Sequence, residues 1–158
     1  MLPTDPFYLA LFWGAVFSIV VAVAGGVLTR LSPWYYALKQ PTWKPPDWAF
    51  GPIWTTILVL VAFAIAYAWT SVGPEGHMAI LMVVGINGLL NMLWSGLFFV
   101  LKKPTLALVE LVIFWLSIVG MIYVLGGASR TAGYMLVPYL VWVSIAGLLN
   151  LRIVQMNR

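Results

Sequence analysis

Apolar and polar positions alternate along this chain on the scale of whole helices: five long apolar runs are separated by short polar breaks. The runs cover about 7–29, 49–72, 78–101, 104–125 and 133–153. A helix crossing the hydrocarbon core of a bilayer needs about 20 apolar residues at about 1.5 Å each, and every run meets that length. Membrane strands alternate in polarity over about ten residues, whereas these runs are continuous, so a barrel is excluded. The pattern predicts an all-α membrane protein, a bundle of five transmembrane helices in a single domain over 1–158. Gly73-Pro74-Glu75-Gly76-His77 reads as a turn-rich loop, Lys102-Lys103-Pro104 as a stop followed by a start, and Gly126-Gly127-Ala128-Ser129-Arg130 as the last break.

The break between the first two runs is different in kind. Trp34 to Trp54, WYYALKQPTWKPPDWAFGPIW, holds four Trp, two Tyr, four Pro and two Lys. Connections with structure of their own are usually functional, and rings interleaved with Lys suit a membrane interface or a flat anionic ligand. A long structured loop between helices 1 and 2 is therefore expected.

Composition narrows the picture further. The chain is 63% hydrophobic and 8% charged, where soluble domains carry roughly 25% charge, so it lacks the polar residues to cover a water-facing surface. It contains no Cys, which excludes disulfides, thiolate nucleophiles and Cys-ligated metals, and its lone His77 makes no metal site by itself. The net charge of +4 does not point to nucleic acid, because the basic residues sit at span ends and not on one arm or face. Arg30, Lys39, Lys44, Lys102, Lys103, Arg152 and Arg158 fall on one side of a five-span chain and Arg130 on the other. The positive-inside rule then places the first loop and the C-terminus in the cytoplasm and the N-terminus outside. Helical spans suit the bacterial cytoplasmic membrane. Met1 to Pro6 offers no basic n-region, so the first run is expected to stay in the mature protein.

Polar positions inside the runs supply the candidate chemistry. Asn87, Asn91 and Ser95 recur at i, i+4, i+8, with Trp94 and Phe98 beside them, and must face other helices because lipid offers no partner. Tyr139, Trp142, Ala146 and Asn150 form a matching face on the fifth span. Gly14, Ser18, Ala22 and Gly26 make a small-residue seam on the first, for packing within the chain or between two copies. Glu110 is the only acid within a run, either a proton-coupling group or a residue supported by Lys102, Lys103 and the helix N-terminus. No hydrolytic triad, carboxylate pair or phosphate-cradling loop assembles, so no catalytic residue is assigned.

Three blocks carry a family resemblance: W-Y-x-x-L-x-x-P-x-W-x-P-P-x-W-x-x-x-P-I-W at Trp34 to Trp54, L-N-x-x-W-x-x-x-F-F at Leu90 to Phe99, and P-Y-L-x-W-x-x-x-A-x-x-L-N at Pro138 to Asn150. In order and spacing they resemble the TspO/MBR family of tryptophan-rich sensory proteins, whose animal members are called translocator protein or peripheral benzodiazepine receptor. The resemblance implies a homodimeric five-helix receptor in the lipid bilayer that binds porphyrins in a pocket lidded by the first loop. It places ligand contacts at Phe50, Ile53, Trp54, Asn91, Trp94, Trp142, Ala146 and Leu149, and the lid at Trp34, Tyr35, Trp43, Pro45 and Pro46. It also implies alternatives: porphyrin degradation with light and oxygen, or transport of small lipophilic molecules with Glu110 as a coupling acid. Two positions depart from the family's pattern, since Leu58 and Leu106 stand where aromatic residues are usual.

Residue chemistry leads to the same ligand class. A porphyrin is a flat apolar disc with two carboxylates, which calls for aromatic walls and a cationic rim. Trp54, Trp94 and Trp142 could stack on it, and Lys39, Lys44 or Arg30 could meet its propionates. No cofactor is required. With His77 on the far side and no Cys, the strong axial ligands for haem iron are missing, so a metal-free porphyrin such as protoporphyrin IX is the expected ligand. Haem should therefore bind without a protein-derived six-coordinate spectrum; such a spectrum that survives replacement of His77 would contradict this reading.

Overall fold

The computed structural model describes residues 5–158; Met1 to Thr4, most of the segment ahead of the first span, lie outside the described residues. Among the described residues the regular structure is helical, without strands. α1 is Pro6–Leu28, α2 Pro33–Ala37, α3 Asp47–Thr70, α4 Pro74–Val100, α5 Pro104–Ala128 and α6 Arg130–Met156. All except the short α2 are long and apolar enough to cross a membrane.

Helix ends follow local chemistry, and three of them correct the expected boundaries. The Asp5 carboxylate accepts the Phe7 N–H at 2.8 Å and Pro6 takes the first helical position, where its missing N–H costs nothing. The same logic starts α4 at Pro74, so 73–77 is the first turn of a helix and not a loop. α5 runs through Gly126 and Gly127 to Ala128, leaving only Ser129 between it and α6. Gly126 serves packing: a Cβ on Gly133 would stand 2.9 Å from the Gly126 Cα, so the two backbones touch here. α3 begins at Asp47, which puts Pro52 inside the helix, where it leaves the carbonyl of exposed Trp48 without its usual helical donor.

The end of α4 was not foreseen from the sequence. Gly96–Val100 widens into a π-helical turn, with the Leu101 N–H on the Gly96 carbonyl at 2.9 Å. The wider turn buries Leu97, Phe98 and Phe99 together. Lys102 then adopts the left-handed region, φ 56°, to reverse the chain into Pro104.

The five long helices form a closed ring in the order α1, α3, α6, α5, α4, each packed on the next. A core of Ile57, Val61, Phe114, Ile118, Met121, Leu136 and Val143 fills one part of the ring. A second cluster, Tyr35, Leu97, Phe98, Phe99, Ala107, Leu149 and Ile153, sits beneath α2. Outward-facing Leu, Val and Ile side chains, such as Val109, Val112, Ile113 and Leu116 of α5, are exposed to what would be lipid.

The small-residue seam of α1 divides in two. Gly14 and Ser18 are buried and face α3: a Cβ on Gly14 would lie 2.8 Å from the Ala62 carbonyl oxygen, and the Ser18 hydroxyl donates to the Leu58 carbonyl at 2.8 Å. Ala22 and Gly26 line an open space instead. Packing within the chain thus accounts for the first half only. Gly14→Val should cost about 1–3 kcal/mol of stability through forced separation of α1 and α3. Gly26→Val, with nothing within 4 Å of its Cβ, should be close to neutral in the same thermal-unfolding assay in detergent.

Candidate ligand-binding site

The space that Ala22 and Gly26 face is a cavity of about 300 Å³ enclosed by α1, α3, α4 and α6. Four helical stripes build it. α1 and its C-cap give Val21, Ala22, Gly25, Gly26 and Thr29, and α3 gives Asp47, Phe50, Gly51, Trp54, Thr55 and Leu58. α4 adds Asn91, Trp94, Ser95 and Phe99, and α6 adds Trp142 and Ala146. The α3 set recurs at three- and four-residue steps, which is one face of a helix. Leu31 and Tyr35 of the connector close one end.

Rings hold each other in place around the cavity. Phe50 meets Trp142 edge-on at 5.3 Å, Trp54 meets Tyr139 edge-on at 5.9 Å, and Trp94 stacks on Phe98 at 5.4 Å. The Trp94 indole N–H donates to the Asn150 Oδ1 at 3.2 Å, and the Asn150 amide donates to the Pro104 carbonyl at 2.9 Å. Asn150 therefore ties the Trp94 ring and the start of α5 to α6.

Two polar clusters hold the connector over this end. The Lys44 ammonium pairs with the Asp47 carboxylate and lies 5.0 Å from the centre of the Tyr35 ring, while the Tyr35 hydroxyl donates to the same Asp47 Oδ1 at 3.3 Å. Burial raises the Tyr35 phenol pKa, against the opposing pull of Lys44. At Lys44 burial works to lower the pKa, but the hydrogen bonds and charges of Asp47 and Tyr35 outweigh it and the net direction is up. The second cluster is longer in range. Asn157 accepts the Lys39 N–H at 2.9 Å and donates to the Lys39 carbonyl at 2.9 Å, so one side-chain amide pairs with one backbone residue 118 positions away. Gln40 adds a bond to the Tyr35 carbonyl at 3.0 Å.

Of the residues expected at the site, Phe50, Trp54, Asn91, Trp94, Trp142 and Ala146 line the cavity; Ile53 and Leu149 do not. Ile53 is one residue off the α3 stripe and packs on the core, and Leu149 lies a turn beyond Ala146, sealed into the cluster with Tyr35 and Phe99. From the expected lid only Tyr35 reaches the cavity. Trp34 packs edge-on against Phe98 at 6.1 Å, Trp43 is 49% exposed, and Pro45 and Pro46 lead the chain into α3. Lys44 is not free for a ligand carboxylate, because Asp47 holds it. Glu110 is not supported by Lys102 or Lys103: the one ion pair among the described residues is Lys44 with Asp47, and both Glu110 oxygens are buried without a partner. His77 stacks on Trp69 at 3.7 Å and is absent from the cavity lining. Among the described residues no cluster of acids and His could hold a metal.

The α1 wall was missed from sequence altogether, as was Asp47, the one formally charged residue in the lining. The signal for α1 was present: Ala22 and Gly26 are the half of the seam that meets no helix.

Comparison with known proteins places the whole bundle in one family. The model of the TspO/MBR family matches residues 14–156. The chain belongs to the TspO/MBR family. Tryptophan-rich protein TspO of Chlorobaculum tepidum is 36% identical over 142 residues, covering 88% of this chain and 90% of its own length. Protein CrtK of Rhodobacter capsulatus is 33% identical, covering 90% of this chain and 91% of its own. The bovine translocator protein is 32% identical over 79% of this chain and 75% of its own. With five apolar helices and membrane-protein relatives, this TspO/MBR chain is an integral multi-pass membrane protein.

The Lys44 cluster has a pH signature. A raised folded pKa means that its contribution to holding the connector is complete below the ordinary Lys value of 10.5 and is lost as pH rises through the folded value. Spin labels at Trp43→Cys and Met156→Cys, specific because the chain has no other Cys, should give one narrow distance distribution from neutral pH up to about 10. Lys44→Met should broaden it throughout that range, and an unchanged distribution would remove Lys44 as a connector tie.

Proposed function

We propose that the protein is a membrane receptor or sensor that binds porphyrin-type tetrapyrroles and similar flat lipophilic ligands in this cavity, with the connector as its lid. The carrying observation is the lining itself: Phe50, Trp54, Trp94, Phe99 and Trp142 converge on a space that is mostly apolar, with Asn91 and Asp47 among its few polar groups. Flat rings are recognised by such walls through offset and edge-on stacking. The family's relatives named tryptophan-rich sensory protein and translocator protein support a receptor-type role.

The size of the cavity sets a condition. About 300 Å³ is at the low end for a small-molecule site, so a tetrapyrrole disc enters only with the connector displaced. The ties that must yield are Lys44 with Asp47, and Asn157 with Lys39. Propionates would then meet Arg30, which stands between the lining residues Thr29 and Leu31, and Lys39. By the distribution of basic residues this mouth faces the cytoplasm.

Titration with protoporphyrin IX in the dark and without oxygen, followed by Trp fluorescence, separates binding from degradation. Trp54→Leu and Trp142→Leu should each weaken binding about ten-fold, consistent with loss of one stacking wall. Unchanged affinity in both variants would remove the cavity as the porphyrin site. Light- and oxygen-dependent loss of porphyrin that vanished in the same variants would move the reading to an enzyme.

A further inference from the structure

A directional hydrogen-bond chain runs behind the cavity wall. It starts at the Phe114 backbone carbonyl, which can only accept, and which the Ser117 hydroxyl reaches at 2.6 Å. With its proton committed, the Ser117 oxygen accepts, and the Asn87 amide nitrogen donates to it at 2.9 Å. That fixes the Asn87 Oδ1 toward Tyr139, whose hydroxyl donates to it at 3.0 Å. The Tyr139 oxygen can then only accept, and the Asn91 amide nitrogen fills it at 3.0 Å. Each step determines the next, so the orientation of Asn91 on α4 is set by a carbonyl on the neighbouring α5, through Tyr139 of α6.

The consequence is at the cavity surface. With its nitrogen turned to Tyr139, Asn91 presents Oδ1 on the other side, without a donor among the described residues, in front of Gly25. A Cβ on Gly25 would stand 3.9 Å from that oxygen, so the glycine keeps the space before it open. The remaining side-chain donors of the lining are spent within the protein. Thr29, Thr55 and Ser95 donate to the carbonyls of Gly25, Gly51 and Asn91, Tyr35 to Asp47, and Trp94 to Asn150. The Trp142 indole nitrogen has no acceptor but is sealed from the open space. Asp47 contributes a second acceptor, since Lys44 and Tyr35 both use its Oδ1.

We infer that the cavity selects planar aromatic ligands carrying an N–H donor on their rim, through an Asn91 carbonyl oxygen held in place by Tyr139 as a positioning residue. This rests on the cavity being the ligand site and extends its ligand class. A porphyrin macrocycle keeps its N–H groups at its own centre and engages the walls alone; a ring system with a pyrrole-type or lactam N–H at its edge engages the walls and Asn91.

Carbazole and dibenzofuran test this, because the two three-ring planes differ in one N–H replaced by O. Both are titrated against the protein in nanodiscs, and partitioning into lipid is subtracted with Ala146→Trp, which fills the cavity. Wild type should prefer carbazole about ten-fold, the scale of one net hydrogen bond. Asn91→Leu should abolish the preference while leaving dibenzofuran binding. Tyr139→Phe should reduce it to within about two-fold, because Asn91 is then free to turn its nitrogen to the ligand. A merely structural loss would weaken both ligands equally and leave their ratio unchanged. Equal binding of the two by wild type, or a ratio untouched by both variants, overturns the assignment of Asn91 while the cavity stands. If neither compound binds wild type above the Ala146→Trp background, the cavity is not the site and the inference falls with it.

Discussion

Apolar helices in an apolar solvent gain nothing from simple burial, because lipid tails are as hydrophobic as the helices themselves. What joins them is close packing of small residues and the obligation of each polar group to find a partner. The chain from Phe114 through Ser117, Asn87 and Tyr139 to Asn91 meets that obligation across α5, α4 and α6 at once. Ser18 on the Leu58 carbonyl and Gly14 against Ala62 do the same for α1 and α3. With those ties made, the ring of helices is fixed, and the space left among α1, α3, α4 and α6 is a consequence of where small residues run out of helix to pack against.

The connector depends on the same economy outside the membrane. Its rings alone would leave it resting on the bundle end; Lys44, Tyr35 and Asp47 tie it to the first turn of α3, and Asn157 ties it to the last turn of α6. The two fixings are on different helices, so displacing the connector requires breaking both. Lys44 on the site's own acid also explains why a row of positive charges in the sequence does not become a positive cavity. The lining carries Asp47 and no Lys or Arg.

Much of this was legible in the sequence because its signals are local. Long uncharged runs give the spans, and three- and four-residue spacing puts Asn87 and Asn91 on one face and Tyr139 and Trp142 on another. The losses occurred where a long-range contact overrides a local signal. Gly126 and Gly127 read as a break until Gly133 is seen against Gly126, and Lys44 reads as free until Asp47 folds back on it. Asn157 and Lys39 are 118 residues apart and share no pattern. The π-helical turn at Gly96–Val100 leaves no periodic trace, yet it carries Phe99 into the cavity wall. Ile53 and Leu149 were placed at the site by family resemblance, and here a shift of one residue and one turn moves both out of the lining.

Five of the nine Trp residues are reporters already distributed between two cavities of the bundle. Trp54, Trp94 and Trp142 line the one beneath the connector, while Trp13 and Trp69 line an apolar groove among α1, α3 and α4. Indole N–H resonances of the protein in nanodiscs, assigned by single Trp replacements, resolve which set a flat ligand meets. On titration with protoporphyrin IX, shifts at Trp54, Trp94 and Trp142 with Trp13 and Trp69 unmoved are the expected result. Shifts confined to Trp13 and Trp69, or to none of the five, would contradict the assignment of the ligand site.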